Sequence, residues 1–359
     1  MTFPAYNSEL PNKSAFEKNI EGKQTHLFIL KNINGLQAAI TNYGGNIIGL
    51  RVPDKTGALV DVVEGLDSIE GCESAKGSYY GSIIGRFGNR IANGKFTLDG
   101  EEYTLVVNDN PNTLHGGNPG FHEVVWDAEQ LDETTLKLKY LSKDMEGGFP
   151  GNLNVKVTYK LTNDNALSIS YEATTDKTTV LNLTSHPYFN LNGAGSGSIL
   201  NHSVQIFADH FTPINSNLIP TGVIEPVEGT SFDFIRPQTI GSRVNADNQQ
   251  LSYGRGYDHN YVLNEHTYET PVAIAIGDKS GIEMSVLTDE PGMQFYCGNF
   301  MQGKNKMKYG NQDDFRTAFA METQHYPDSP NQQKFPSTVL KPGEVYKTTS
   351  EYRFGVVNK

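Results

Sequence analysis

Leu153-Asn154-Val155-Lys156-Val157-Thr158-Tyr159-Lys160-Leu161 alternates apolar and polar side chains without a break, the two-residue period of a strand with one buried face. Thr162-Asn163-Asp164-Asn165 supplies turn formers, and Leu167, Ile169, Tyr171 and Ala173 then resume the alternation, so the segment reads as a hairpin. The same reading extends outward. Lys95 to Leu98 and Glu101 to Leu105 flank Asp99-Gly100, a pair that readily takes the positive φ of a tight hairpin turn. Val272 to Ile276 and Ile282 to Val286 flank Gly277 to Gly281, and Tyr346, Thr348, Ser350, Tyr352 and Phe354 alternate near the C-terminus. Helical periodicity is nearly absent, with one-turn candidates only at Asp67 to Glu73 and Gln312 to Phe315. Many strands and little helix predict an all-β, antiparallel sandwich or barrel. No charged or Pro-rich linker divides the chain, and Asn192 to Ser198 is short enough to be a loop, so a single domain over 1–359 is expected, with 1–25 as a peripheral N-terminal extension.

Composition narrows the function. Forty-one acidic residues against twenty-nine Lys and Arg leave 359 residues at net −12, a field that repels nucleic acid. With 37% hydrophobic and 19% charged residues the chain is neither disordered nor a coiled coil. Two cysteines, Cys72 and Cys297, rule out a disulfide scaffold. No apolar run approaches the ~20 residues of a membrane span, so no membrane partner is expected. The polar N-terminus lacks a secretion signal, which points to the cytoplasm.

Five tracts place His, Arg, Asp or Glu among aromatics and glycines: Gly85 to Ile91, Asn112 to Gly117, Leu181 to Leu191, Gly256 to Val262, and Ala318 to Asp328. On a strand through Phe319 to Thr323, Glu322 shares a face with Ala320, opposite Phe319 and Met321. It lines a pocket there, or it belongs to a solvated strand face. His186 leaves a buried strand just before Pro187-Tyr188-Phe189, either as a reactive imidazole or as one satisfied by backbone carbonyls. His115 precedes Gly116-Gly117, where the missing side chains permit a close approach of backbone to ligand; the alternative is a turn histidine. Arg90 and Asp258 sit between hydrophobic positions and form either a buried ion pair or a set of hydroxyl-binding groups, while Asn89 and Gln294 each offer a donor and an acceptor. Mixed donors and acceptors among aromatics suit a sugar, whose hydroxyls need both and whose C–H face packs on rings. The sequence has no close-spaced metal-ligand pair such as H-E-x-x-H, no C-x-x-C, no G-x-S-x-G elbow and no Walker A loop.

Taken in order, Asn42-Tyr43-Gly44-Gly45, Gly85 to Ile91, Asn112 to Gly117 with Gly120-Phe121, Asn182 to Leu191, Gly256 to Val262, Pro291 to Tyr296 and Glu322-Thr323-Gln324 resemble the aldose 1-epimerase (galactose mutarotase) family from about Ala38 to Phe354. The resemblance implies a large antiparallel β-supersandwich with very little helix, whose open cleft takes a monosaccharide. It implies Glu322 as general base, His186 as general acid and His115 as a second active-site histidine. It also implies Arg90, Asn89, Asp258 and Gln294 as groups that hold the sugar hydroxyls. Pro187 departs from the serine expected in many relatives. The implied activity is interconversion of the α and β anomers of free aldohexoses such as galactose and glucose, by a monomer or homodimer, without metal or other cofactor, since ring opening moves only protons.

The residue types suit that chemistry. A Glu, ordinarily near pKa 4.3, is ionised at neutral pH and a His, near 6.5, is poised between forms; the Glu322 charge would help keep His186 protonated if the two flank one sugar ring. Three rival readings remain at this level: a hexose-6-phosphate 1-epimerase, a non-catalytic sugar-binding protein, and a glycoside hydrolase using Asp258 as a second carboxylate.

Overall fold

In the computed structural model, which describes residues 9–357, the strand Leu153–Leu161 buries every odd-numbered side chain, while Asn154 and Lys160 are exposed. Its hairpin partner Ala166–Thr175 runs antiparallel in unbroken register from Leu153 opposite Thr175 to Leu161 opposite Leu167. This hairpin sits inside a nine-stranded sheet. Asp127–Gln130 and Thr135–Ser142 flank it on one side, and Tyr346–Val356, Ile282–Thr288, Ala273–Ile276, Ser203–Ile206 and Gln238–Thr239 follow on the other. The hairpin expected at Asp99-Gly100 forms, with both turn residues at positive φ (52° and 84°), as a two-residue turn matched to strand twist requires.

Two further sheets have more than two strands among the described residues. One has four strands, Leu27–Lys31, Gln37–Thr41, Ile47–Pro53 and Leu59–Asp61. The other has five: Glu225–Pro226, His210–Thr212, Asp258–Val262, Gly292–Tyr296 and Ala320–Gln324. All three sheets contribute to one hydrophobic cluster: Val157 and Ile169 from the large sheet, Ile40 and Leu50 from the four-stranded one, Phe295 and Met321 from the five-stranded one. Burying an apolar face on each is what drives the layers together.

Only two α-helices occur among the described residues, each of six residues. Ile69–Ser74 answers the turn expected at Asp67 to Glu73 and is capped by the Ser68 side chain, which accepts the Gly71 N–H. The helical turn expected at Gln312 to Phe315 does not form. The Asp313 carboxylate instead accepts the Asn305 N–H and the Tyr80 hydroxyl, and Gln312 bridges to Lys306; side-chain to backbone bonding of this kind competes with helix. Gln249–Gly254, missed in the sequence, is started by Asn248, whose side chain accepts the N–H groups of Gln250 and Leu251. Of the expected extension, residues 1–8 lie outside the described residues, whereas Phe16 is fully buried in a second cluster with Ile48 and Met307. No helix among the described residues is long and apolar enough to cross a membrane.

The two faces of the deciding strand should therefore respond differently to truncation. Leu153→Ala, at a fully buried position, is expected to destabilise the fold by about 2–5 kcal/mol, and Lys160→Ala by no more than about 0.5. Urea unfolding of the two variants checks this; equal losses would contradict the assigned faces.

Candidate active site

Three neighbouring strands of the five-stranded sheet show why the chain places polar groups where it does. Asp258–Val262, Gly292–Tyr296 and Ala320–Gln324 are paired so that Asp258 lies opposite Tyr296, and Gln294 opposite Glu322. Strand alternation sends Tyr261, Met293, Phe295 and Met321 into the main core. Asp258, Gln294, Tyr296 and Glu322 therefore share the other face. Above it lies a cavity of about 280 Å³ whose walls include Glu322, His186, His115, Arg90, Asn89 and Asp258. Six of the seven residues expected from sequence are thus brought together from five separate tracts.

Gln294 is the seventh, and it does not line the cavity. Its side-chain amide donates to Asp258 Oδ1 at 2.7 Å, so it supports the carboxylate from behind. The Arg90–Asp258 ion pair considered above is likewise replaced. Arg90 Nε pairs with Asp109 Oδ2 at 2.7 Å, and Asp109 lines the same cavity. Sequence reading passed over Asp109, although an acid immediately before Asn110-Pro111 and the His115 tract was available as a signal. Tyr79, Tyr188 and Tyr296 were also missed as wall residues. Arg86, in the same tract as Arg90, is structural: its guanidinium is buried and donates to the carbonyls of Ser142, Lys143 and Pro150.

His186 follows the short strand Thr184–Ser185 and is fixed by its own N–H, which donates to Ser82 O at 2.9 Å. Its ring stacks on Tyr188 at 4.8 Å between centroids. His186 Nε2 stands 3.3 Å from Glu322 Oε1. Glu322 Oε2 and His186 Nδ1 are buried and have no hydrogen-bond partner within the protein, a pattern that marks groups reserved for something other than the fold.

His115 and Asn89 form a locked pair. His115 N–H donates to Asn89 O at 3.0 Å, Asn89 N–H donates to His115 Nδ1 at 3.1 Å, and Asn89 Oδ1 accepts the Arg90 N–H at 2.9 Å. Both residues are held at positive φ (53° and 64°), a left-handed conformation uncommon outside glycine, though Asn and His adopt it more readily than most. With Nδ1 accepting, a neutral His115 carries its proton on Nε2. Gly116 serves the protein rather than a ligand: a Cβ there would lie 2.0 Å from Gly85 O, so the two loops approach only because the side chain is absent.

Burial sets the electrostatics. It pushes the His186 imidazole down to about 4. It pushes the Glu322 carboxyl well above the usual carboxylate range, with the nearby Asp258 charge adding to the rise and Arg90 opposing it. His115 is driven well below the ordinary histidine value by burial, then by His186 and Arg90. The expectation that the Glu322 charge would help keep His186 protonated is therefore corrected. The dry site opposes charge on both partners and favours the neutral pair, carboxylic acid and imidazole.

Donor atoms of His115, His186 and Glu322 lie within 4.8 Å of one another, close enough for a metal ion. The hydrogen bonds argue otherwise, since His115 Nδ1 is occupied by the Asn89 N–H and Nε2 is then a donor, leaving neither nitrogen a free lone pair. The set fits proton exchange with a neutral, hydroxylated ligand.

A family model described as aldose 1-epimerase matches residues 26–353. The galactose mutarotase of Rattus norvegicus is 42% identical over 321 residues, 89% of this chain and 92% of the relative. The aldose 1-epimerase of Escherichia coli K12 is 36% identical over 337 residues, 93% of this chain and 96% of the relative. The crystal structure of an aldose epimerase homologue from C. elegans superposes with a TM-score of 0.86 at 31% identity, covering 93% of this chain and all of that one. With a family model over most of its length and relatives at this identity and coverage, this chain belongs to the aldose 1-epimerase family.

Proposed function

We propose that the chain is an aldose 1-epimerase of free aldohexoses such as galactose and glucose, acting as one catalytic domain, with Glu322 and His186 exchanging protons with the two oxygens of the anomeric centre. The observation that carries the reading is the 3.3 Å approach of His186 Nε2 to Glu322 Oε1 in the wall of a sugar-sized cavity. Opening the hemiacetal requires the anomeric hydroxyl to lose a proton to Glu322 while the ring oxygen gains one from His186. The C1–O5 bond breaks and an aldehyde forms. Rotation about C1–C2 presents the other carbonyl face, and closure returns both protons. A positioned acid and base each contribute about 10²–10⁴-fold.

The proton affinities support this cycle. Before opening, the pair is carboxylate and imidazolium; afterwards it is carboxylic acid and imidazole. Ordinary values of 4.5 and 6.5 would favour the first form. Burial raises one and lowers the other, so the second form, which belongs to the ring-opened intermediate, gains at the expense of the first, to which the pair returns when either anomer closes. His115, neutral with its proton on Nε2, is suited to donate a hydrogen bond to the ring oxygen or the anomeric hydroxyl. Arg90, Asn89 and Asp258 are suited to hold the remaining hydroxyls, with Gln294 keeping Asp258 in place. A sugar-binding protein without chemistry would have no use for a desolvated carboxyl–imidazole pair, and although Asp258 shares the cavity, the group at 3.3 Å from Glu322 is the His186 imidazole and not the second carboxylate a hydrolase would use. A cytoplasmic location goes with this reading, Cys72 and Cys297 being free buried thiols, the state a reducing compartment maintains.

Glu322→Gln keeps the size of the side chain and removes the base. Polarimetry on fresh α-D-galactose should show kcat lower by about 10²–10⁴, while calorimetry shows sugar binding retained; full activity in this variant would remove Glu322 from the mechanism. The pH profile of kcat/KM gives an independent check. Activity needs one proton on the pair: a second, taken up at low pH, removes the base, and loss of the first at high pH removes the acid. With His186 pushed down to about 4, activity should stay level on acidifying through 6.5 and fall only near the lower value. The alkaline limb should lie above the usual carboxylate range. An acid limb centred on the ordinary histidine value would contradict the buried pair.

A further inference from the structure

The cavity wall carries four carboxyl groups, Asp109, Asp258, Asp313 and Glu322, against a single guanidinium, Arg90. Arg90 is already committed to Asp109 at 2.7 Å. Asp313 is surrounded by neutral donors, the Tyr80 hydroxyl at 2.8 Å and the Asn305 N–H and side-chain amide at 2.7 Å each, with no cation in ion-pair range among the described residues. Asp258 gives Oδ1 to Gln294, and its Oδ2 accepts no hydrogen bond among the described residues. The chain as a whole adds a field of net −12. Arg90 matches Asp109, and Glu322 and His186 hold one proton between them, which leaves Asp258 and Asp313 as the carboxyls without a counter-charge of their own. Burial raises the Asp258 carboxyl, with Arg90 opposing the rise, so a ligand cation favours its ionised form, whereas a ligand anion opposes it.

We propose that the cavity selects its sugar by charge, turning over amino aldohexoses in their ammonium form and excluding aldohexoses that carry a phosphate or a carboxylate. This rests on the reading of the cavity as the sugar site and adds a substrate class to it. An ammonium group is close to a hydroxyl in size and donates three hydrogen bonds, so it replaces a ring hydroxyl without a steric penalty. Asp258 is the carboxylate best placed to receive it, being buried, in the cavity wall and without a dedicated cation. The hemiacetal chemistry is unchanged, because the amine takes no part in breaking or forming the C1–O5 bond. Arg90 does not rescue an anion, since pairing with a phosphate would strip Asp109 of its partner and leave that carboxylate in the same wall.

The test compares D-glucose, D-glucosamine, D-glucose 6-phosphate and D-glucuronate by polarimetry at one ionic strength. Glucosamine should match or exceed glucose in kcat/KM while its amine is protonated, and should fall behind as rising pH removes that proton; glucose run alongside corrects for titration of the enzyme. Glucose 6-phosphate and glucuronate should be poorer than glucose by about 100-fold, a gap that narrows with added salt. Asp109→Asn, which leaves the Arg90 charge unmatched, should improve the ratio of glucose 6-phosphate to glucose by about tenfold. Glucosamine used better as the free amine, or an anionic sugar turned over as well as glucose, overturns the proposal. Calorimetric binding of the same four sugars to the wild-type chain reads the charge order whether or not the ring opens. Loss of turnover on glucose with the charge order intact would count against the epimerase reading alone, and turnover on glucose with no charge order against this one alone.

Discussion

Desolvation of a carboxyl and an imidazole held 3.3 Å apart is the constraint around which the molecule is organised. Such burial is unfavourable for each group alone, and the protein leaves Glu322 Oε2, His186 Nδ1 and Gln294 Oε1 without hydrogen-bond partners as well. The strands that carry the site can bear this because their opposite faces are part of the main core. Met321 next to Glu322, and Phe295 next to Gln294, are completely buried there. Asp258, Gln294 and Glu322 are therefore each held by apolar neighbours one residue away in sequence, and alternation converts core packing into positional precision. His115 and Asn89, outside the strands, are held instead by their mutual backbone bonds.

The parts of this arrangement legible in the sequence are those that alternation and short-range turn chemistry determine. Leu153 to Leu161 declares its buried face, Asp99-Gly100 its turn, and Phe319 to Thr323 the opposition of Met321 and Glu322, because each depends on neighbours within a few residues. The single turn at Gln312 to Phe315 was misread because Asp313 is held by Tyr80, a partner more than two hundred positions away that no local pattern announces. Gln294 was assigned to the cavity on its chemistry, but its amide is taken by Asp258 across the sheet. Gly116 was read as clearance for a ligand, when the nearest obstacle is the carbonyl of Gly85. Residue types signalled a polar site; which of them face the cavity and which support another depends on strand pairings between distant segments.

The proton affinities were the least legible feature, for a related reason. Isolated Glu and His side chains suggest a charged pair, and nothing in the surrounding sequence says how dry the pair will be. Only the folded surroundings, with Tyr188 stacked on His186 and the core behind Glu322, reverse the tendency of both groups. Burial here acts as a chemical reagent: it opposes the charged pair that water would favour.

Proton exchange also requires the site to hold a fixed number of mobile protons. A third group titrating in the same range would add or withdraw a proton between turnovers and leave the pair in a form unable to act from either direction. His115 is the group best placed to cause this, its ring centroid being 5.4 Å from that of His186. Two features prevent it. Burial and the neighbouring His186 and Arg90 keep His115 from gaining a second proton, and the Asn89 N–H directed at Nδ1 opposes movement of the first from Nε2. The left-handed backbone at both residues is then intelligible as what it takes to point an amide N–H at that ring. His115 becomes a donor of constant polarity beside a pair whose proton must remain free to move, which is the division of labour that anomer exchange in both directions demands.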